Sequence, residues 1–187
     1  MKIGVVIPSY KVSKQIGNVL EKLKPFDYQV YVVDDKCPEN TGDFVEEKFN
    51  YDNVKVLYNE INLGVGGAVK RGYKEALDDN CDIVVKLDGD GQMNPDLVPN
   101  LVLPILNNEA DYVKGNRFFN LDKLKSMPAS RLFGNSILSL INKAVNGYWD
   151  ILDPTNGFTA IHKNALKLLN LDKIDNRYFF EATCFSG

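Results

Sequence analysis

The stretch IVVKLDGDGQ, residues 83–92, joins a short, largely apolar run to two closely spaced aspartates. The first five residues have the length and composition of a strand buried on both faces of a parallel sheet. Two carboxylates, two glycines and an amide follow where that strand ends. This stretch therefore predicts a strand that delivers acidic groups to one edge of a sheet.

Four other runs of the same kind are spread along the chain, at 3–7, 29–33, 54–57 and 111–115. Between them, apolar residues recur at helical spacing within 16–23, 44–49, 64–77 and 95–106. Pro99 and Pro104 are expected to kink or shorten the last of these helices. The alternation predicts an α/β domain with a mostly parallel central sheet flanked by helices. Residues 131–145 predict one further helix.

The composition favours some classes of protein and argues against others. The chain has 187 residues, 44% hydrophobic and 25% charged, as expected for one soluble globular domain. Its net charge of -3 argues against a nucleic-acid-binding surface. Three scattered cysteines and one histidine cannot form the usual zinc sites, and they favour a reduced, cytoplasmic compartment. No run approaches the ~20 apolar residues that span a bilayer, so any membrane contact is expected to be peripheral.

Polar groups follow three of the predicted strands. Ligands of open α/β sheets collect at the carboxyl ends of the strands, so these groups are expected to meet at one edge. An aspartate there can accept hydrogen bonds from a nucleobase or a ribose hydroxyl. The groups are Pro8, Ser9 and Tyr10 after the first strand, Asp34 and Asp35 after the second, and Asp88 and Asp90 after the fourth.

Asp88 and Asp90 form a candidate metal site. A tight turn at Gly89 would point both carboxylates into one small volume, where they repel each other unless a cation lies beside them. Hard oxygen ligands suit Mg²⁺ or Mn²⁺, and Gln92 would add a neutral oxygen or hold a water. A solvated Asp-Gly turn with no ligand is the alternative at this stage.

The glycine-rich segment 64–68 invites a phosphate-binding interpretation, but it lacks both the GK[ST] ending and the GxGxxG frame. Small residues for close helix packing explain it equally well. Lys70 and Arg71, which follow it, remain candidates to face a diphosphate.

Candidate reactive residues also occur in the second half of the chain. Arg117 and Arg131 flank an irregular stretch and are candidates for phosphate contacts. Asp153 begins the turn DPTNGF and is a candidate general base. His162 follows an apolar, strand-like run, which favours a structural role over a catalytic one.

Seven segments, taken in order, resemble the family 2 glycosyltransferases with the GT-A fold, and most closely the dolichyl- or polyprenyl-phosphate sugar synthases. DGDGQ and RYFFE are the most specific of them. The segments are VIPSY (6–10), VVDD (32–35), NLGVGGA (62–68), DGDGQ (88–92), GNRF (115–118), DPTNGF (153–158) and RYFFE (177–181).

This resemblance implies an inverting transfer of a sugar from a UDP- or GDP-linked donor to a polyprenyl phosphate at the cytoplasmic membrane face. Each candidate residue then takes a role. Asp88, Asp90 and Gln92 would hold Mg²⁺ or Mn²⁺, Arg117 and Arg131 would meet phosphates, and Asp153 would orient the acceptor. The nucleotide pocket would be lined by Pro8, Tyr10 and Asp35, with Asp34, Lys70 and Asp88 close by.

Two departures from that family bear on the predictions. The synthases usually read PTYNE where this chain has PSYKV at 8–12, without the acidic residue, so the base and the sugar stay open. The chain ends six residues after RYFFE. We therefore expect one GT-A catalytic domain over 1–187 that lacks the C-terminal acceptor-binding segment.

Three alternatives remain. One is a family 2 transferase that acts on a saccharide hydroxyl in cell-surface polysaccharide assembly, where Asp153 would be the base. Another is a nucleotidyltransferase, disfavoured because no glycine-rich basic loop follows the first strand. The third is a nucleotide-binding module without turnover. Five aromatic residues are candidates either for an apolar face that takes a lipid or a homodimer partner, or equally for the core: Tyr112, Phe118, Phe119, Tyr148 and Trp149.

Overall fold

The structure, a computed structural model, describes residues 1–115 and 157–171. All five predicted strands are present, with ends within about two residues of those expected, and a sixth follows after the gap. The strands are β1 (Ile3–Ser9), β2 (Gln29–Asp34), β3 (Val54–Tyr58), β4 (Ile83–Lys86), β5 (Tyr112–Lys114) and β6 (Thr159–His162).

Helices alternate with the strands, as the periodicity predicts. They are α1 (Ile16–Leu23), α2 (Thr41–Lys48), α3 (Gly64–Asp78), α4 (Val98–Leu106) and α5 (Lys163–Leu168), with a 3₁₀ turn at Pro95–Leu97. Pro99 lies in the first turn of α4, where a missing N–H costs nothing, and the helix continues past Pro104 to Leu106. None of the described helices combines the length and apolarity that a bilayer crossing needs.

The strands form one sheet in the order β3-β2-β1-β4-β6-β5. β1 to β4 are mutually parallel, and β6 runs antiparallel between β4 and β5. The predicted α/β class with a mostly parallel sheet is therefore confirmed. The carboxyl ends of β1, β2, β3 and β4 meet at one edge, which places the loops after them together.

Both faces of the sheet are buried, because successive side chains of a strand point to opposite sides. Val5 and Ile7 of β1 pack toward α1 and α4, whereas Val6 packs toward α3. This division explains why the strand sequences are continuous apolar runs rather than alternating ones.

Helix α3 approaches β1 closely. A Cβ added to Gly72 would lie 2.3 Å from Cγ1 of Val6, and one added to Gly67 would lie 2.4 Å from Cβ of Leu63. Neither position leaves room for a side chain. Gly67, within the 64–68 segment, and Gly72, after it, therefore serve close packing.

We expect Gly72→Ala to destabilise the fold by about 1–3 kcal/mol, because the added methyl group overpacks a buried contact on β1. Urea denaturation measures this directly, with Lys74→Ala at an exposed position of the same helix as the control. A midpoint for Gly72→Ala that equals that of the unmodified chain would contradict the close approach.

Candidate functional site

A cleft of about 520 Å³ opens at the carboxyl edge of the sheet. Its walls come from the ends of β1, β2 and β4 and from the first turns of α3. The lining residues are Pro8, Ser9, Tyr10, Val12, Asp35, Asn62, Gly64, Val65, Ala68, Asp88, Gly89 and Asp90. Four of the predicted nucleotide-binding residues, Pro8, Tyr10, Asp35 and Asp88, are therefore brought together with Asp90, although their roles stay predictions.

Asp35 fixes the wall of the cleft that α3 provides. The residue is 3% exposed, and its carboxylate accepts hydrogen bonds from the backbone N–H groups of Leu63 and Gly64, both at 2.8 Å. It also accepts one from the side-chain amide of Asn59 at 2.7 Å. Gly64 has a φ of 82°, a conformation that a residue with a Cβ rarely adopts. Asp35 thus caps a helix that lies far away in sequence.

The two basic residues that follow the glycine-rich segment do not line the cleft. Arg71 donates to the Asn59 side-chain oxygen at 3.0 Å and to the carbonyl of Tyr58, so it braces the end of β3. Lys70 is also absent from the cleft lining. The structure therefore does not bring Lys70 into the pocket with the other predicted donor-binding residues.

Asp34 points away from the cleft, unlike its neighbour Asp35. It is 4% exposed, and its two oxygens accept hydrogen bonds from the backbone N–H groups of Cys37 and Gly42, each at 2.7 Å. Gly42 lies in the first turn of α2, so Asp34 holds that helix to the end of β2. The sequence placed Asp34 near the nucleotide, whereas the structure places it outside the lining.

Cys37 anchors the loop that carries Tyr10, a role that nothing in the sequence around it indicated. Its sulfur accepts from the N–H of Lys11 at 3.1 Å and contacts the Thr41 hydroxyl at 3.1 Å. Lys11 has a φ of 58°, which is uncommon for a side-chain-bearing residue. Burial raises the pKa of the Cys37 thiol, but hydrogen bonds from Thr41, Lys11 and neighbouring backbone groups bring it below its ordinary value.

Lys11 also folds back over the residue before it. Its Nζ lies 5.4 Å from the centroid of the Tyr10 ring, within the range of a cation–π contact. Tyr10 is 45% exposed and lines the cleft, so its side chain is accessible there even with Lys11 beside the ring. A planar base can stack on an accessible aromatic ring.

The acidic turn after β4 forms the floor of the cleft. Asp88 is partly exposed, Asp90 is exposed, and both line it. Oδ1 of Asp90 accepts from the N–H of Gln92 at 2.9 Å, which fixes the turn. Gln92 therefore contributes its backbone N–H to the turn, and Gln92 is not among the residues that line the cleft.

The left-handed conformation in this turn belongs to Gly91, and not to Gly89, where the sequence predicted a tight turn. The φ of Gly91 is 75°. A Cβ at Gly89 would instead lie 3.2 Å from Ile7 and 3.2 Å from Val12. Gly89 is therefore small because β1 and the loop after it approach closely.

Lys86, the last residue of β4, is a buried charge that the sequence analysis passed over. Its side chain is 2% exposed, and its Nζ lies 3.0 Å from Oδ1 of Asp88. A lysine inside an otherwise apolar strand was the signal that would have drawn attention to it, because buried ammonium groups need a charged or polar partner.

The donor set suits a divalent cation that is shared with a ligand. Asp88 and Asp90 offer hard carboxylate oxygens to the same cleft. Within 1–115 and 157–171, no group of three His, Cys, Asp or Glu residues is placed to hold a metal alone. Mg²⁺ commonly takes one or two protein carboxylates and completes its coordination with substrate phosphates, so the pair of Asp88 and Asp90 is chemically suited to such an ion.

Several predicted residues lie outside the described residues: Arg117, Arg131, Asp153, the 177–181 segment, and Phe118, Phe119, Tyr148 and Trp149 of the expected apolar face. Tyr112 of that face is described, and it packs against the core on the α3 side of the sheet. Nδ1 of His162 accepts from the N–H of Asn164 at 3.3 Å at the start of α5, in keeping with the structural role expected of it.

The parallel strands β3-β2-β1-β4, with an acidic turn at their carboxyl edge, form the arrangement expected of the GT-A fold. The sequence profile described as glycosyl transferase family 2 matches residues 4–169. The chain belongs to that family, as its motifs predicted.

Two curated relatives and one solved structure illustrate the similarity. A UDP-N-acetylglucosamine–dolichyl-phosphate N-acetylglucosaminyltransferase of Methanococcus voltae is 35% identical over 190 residues, covering 94% of this chain and 75% of that protein. An undecaprenyl-phosphate mannosyltransferase of Micrococcus luteus is 29% identical over 180 residues, covering 95% and 73%. The mannosyltransferase PcManGT of Pyrobaculum calidifontis, solved with GDP-Man and Mn²⁺, superposes with a TM-score of 0.62 at 19% identity, covering 90% of this chain and 46% of that one. This last likeness concerns the fold alone.

Proposed function

We propose that this chain carries the donor site of an inverting, metal-dependent transferase that moves a sugar from a nucleoside diphosphate sugar to a polyprenyl phosphate. One observation carries the proposal: Asp88 and Asp90 share a cleft with Pro8, Tyr10 and Asp35. The names of the Methanococcus voltae and Micrococcus luteus relatives, which specify dolichyl and undecaprenyl phosphate acceptors, support the lipid phosphate. That acceptor would place the reaction at the cytoplasmic face of a membrane.

In this proposal, different residues of the cleft bind different parts of the donor. Tyr10 and the wall held by Asp35 bind the nucleoside, and Asp88 and Asp90 hold Mg²⁺ or Mn²⁺ against the diphosphate. The metal, when bound, offsets the negative charge that develops on the leaving diphosphate. The exposed Tyr10 ring and the open mouth of the cleft leave room for the base to enter.

A phosphate acceptor simplifies the chemistry that the protein must supply. Its oxygen is already anionic near neutral pH, so no residue has to remove a proton before attack. Asp153 would then orient the acceptor, and Arg117 and Arg131 would bind phosphate oxygens through paired N–H groups. These three roles remain proposals.

Donor and acceptor are tested together in one transfer assay. UDP-N-acetylglucosamine and GDP-mannose are each incubated with the chain, Mn²⁺, and either undecaprenyl or dolichyl phosphate, and lipid-linked sugar is measured by mass spectrometry. We expect product with one donor, none with a chelator, and an inverted anomeric configuration by NMR.

The same assay separates the alternatives. Transfer to a saccharide hydroxyl, with none to lipid phosphate, would favour the polysaccharide transferase. Calorimetric binding of UDP or GDP without transfer to any acceptor would indicate a binding module. No binding of either nucleotide by folded protein would contradict the donor site itself.

A further inference from the structure

A buried lysine lies beneath the floor of the cleft. Lys86 ends β4, where it is in register with Val6 of β1 and Thr159 of β6, and its side chain is 2% exposed. Its ammonium group contacts Asp88 at 3.0 Å but does not line the cleft. Removing an ammonium group from water is costly, and an apolar residue at this position would avoid that cost. The position of the charge therefore calls for an explanation.

The cleft has a one-sided charge that Lys86 offsets. Its lining contains three carboxylates, those of Asp35, Asp88 and Asp90, and no lysine or arginine among the described residues. The Lys86 charge lies within a few ångströms of Asp88 and is shielded from solvent, where Coulomb interactions exceed those in water. It therefore acts on any ion that enters the cleft.

We propose that Lys86 is a positioning residue that lowers the affinity of the empty cleft for a free divalent cation and raises its affinity for the metal-free diphosphate. It holds Oδ1 of Asp88, a residue that lines the cleft. Its positive charge opposes a lone cation and attracts the donor phosphates. The cation consequently enters with the donor. This inference rests on the proposed metal site at Asp88 and Asp90.

A purely structural ion pair would behave differently. Its loss would loosen the turn after β4 and weaken the binding of metal and nucleotide alike. A charge effect moves the two affinities in opposite directions, because the removed charge repels one ligand and attracts the other. The sign of the change thus separates the two explanations.

Two substitutions test the charge while retaining the shape of the side chain. Lys86→Met keeps an unbranched apolar stem, and Lys86→Gln keeps a hydrogen-bond donor for Asp88 without the charge. Mn²⁺ binding without nucleotide is measured from the free-Mn²⁺ signal in electron paramagnetic resonance. UDP and GDP binding in the presence of a chelator is measured by calorimetry. Circular dichroism and thermal unfolding establish that each variant is folded.

For both variants we expect Mn²⁺ to bind roughly tenfold more tightly than to the unmodified chain, and the metal-free nucleotide to bind several-fold more weakly. Lys55→Met is the matched control. Lys55 pairs with Glu75 at 2.5 Å and Asp79 at 3.5 Å, outside the cleft, so its loss should leave both affinities unchanged.

Unchanged or weaker Mn²⁺ binding in both folded variants would overturn the inference. If the unmodified chain nevertheless binds nucleotide in a metal-dependent manner, the proposed metal site survives and only the role of Lys86 is lost. If nucleotide binding by the unmodified chain does not depend on metal, and Asp90→Ala binds nucleotide with the same affinity, both the proposed metal site and this inference are wrong.

Discussion

Asp90→Ala is expected to abolish the metal dependence of nucleotide binding and to lower the rate of sugar transfer by about 10²–10³-fold. Asp90 is exposed, lines the cleft and accepts a hydrogen bond from the N–H of Gln92, so its carboxylate is accessible to the proposed cation. Without Asp90, the only acidic group left for the cation in this turn is Asp88, and one of its oxygens is paired with Lys86. We expect this single carboxylate to be insufficient to hold Mg²⁺ or Mn²⁺ beside a diphosphate. Because Asp90 is exposed, its removal should loosen only the turn that it fixes with Gln92 and leave the rest of the fold intact.

The test combines calorimetry with the transfer assay. Nucleotide is titrated with Mn²⁺ and with a chelator, and the ratio of the two affinities should fall to about one in Asp90→Ala. Asp96→Ala removes the same charge from an exposed position outside the cleft and should keep the ratio of the unmodified chain. A variant at Asp90 that retains metal-dependent binding and normal turnover would contradict the assignment of this residue to the metal.

Asp34→Ala is expected to destabilise the fold by about 2–4 kcal/mol while leaving the nucleotide affinity of the folded protein within about threefold of normal. Alanine would leave the buried N–H groups of Cys37 and Gly42 without their carboxylate acceptor. It would also release the first turn of α2. Asp34→Asn, which retains one acceptor oxygen, should lose about half as much stability.

Urea denaturation and calorimetry with the favoured nucleotide together distinguish capping from ligand binding. Asp43→Ala, at an exposed position in the first turn of the same helix, is the control, and we expect it to cost no more than about 1 kcal/mol. Unchanged stability with a large loss of nucleotide affinity in Asp34→Ala would instead support the pocket role that the sequence suggested.

Asp34 and Asp35 have different roles that the sequence alone does not distinguish. Asp34 is the last residue of β2 and Asp35 follows it, and aspartate is a residue type expected at a ligand-binding edge. Their partners are backbone groups that lie 8 and 29 residues further on, at Gly42 and Gly64. Adjacent side chains of an extended segment point in opposite directions, so only one of the two can face the cleft.

The sequence by itself determined the α/β class, the five strands up to residue 115, the edge where ligands collect, and the family, through DGDGQ and the segments around it. These features depend on local apolar runs and on short motif spacings, and both can be recognised in the linear sequence. The tertiary structure alone decided that Cys37 holds Lys11, that Gly72 makes room for Val6, and that Lys86 lies buried beneath the floor of the cleft beside Asp88. Each of these depends on how deeply a group is buried or on which way it turns. Such properties arise only when helices and strands that are distant in the chain pack against one another and exclude water.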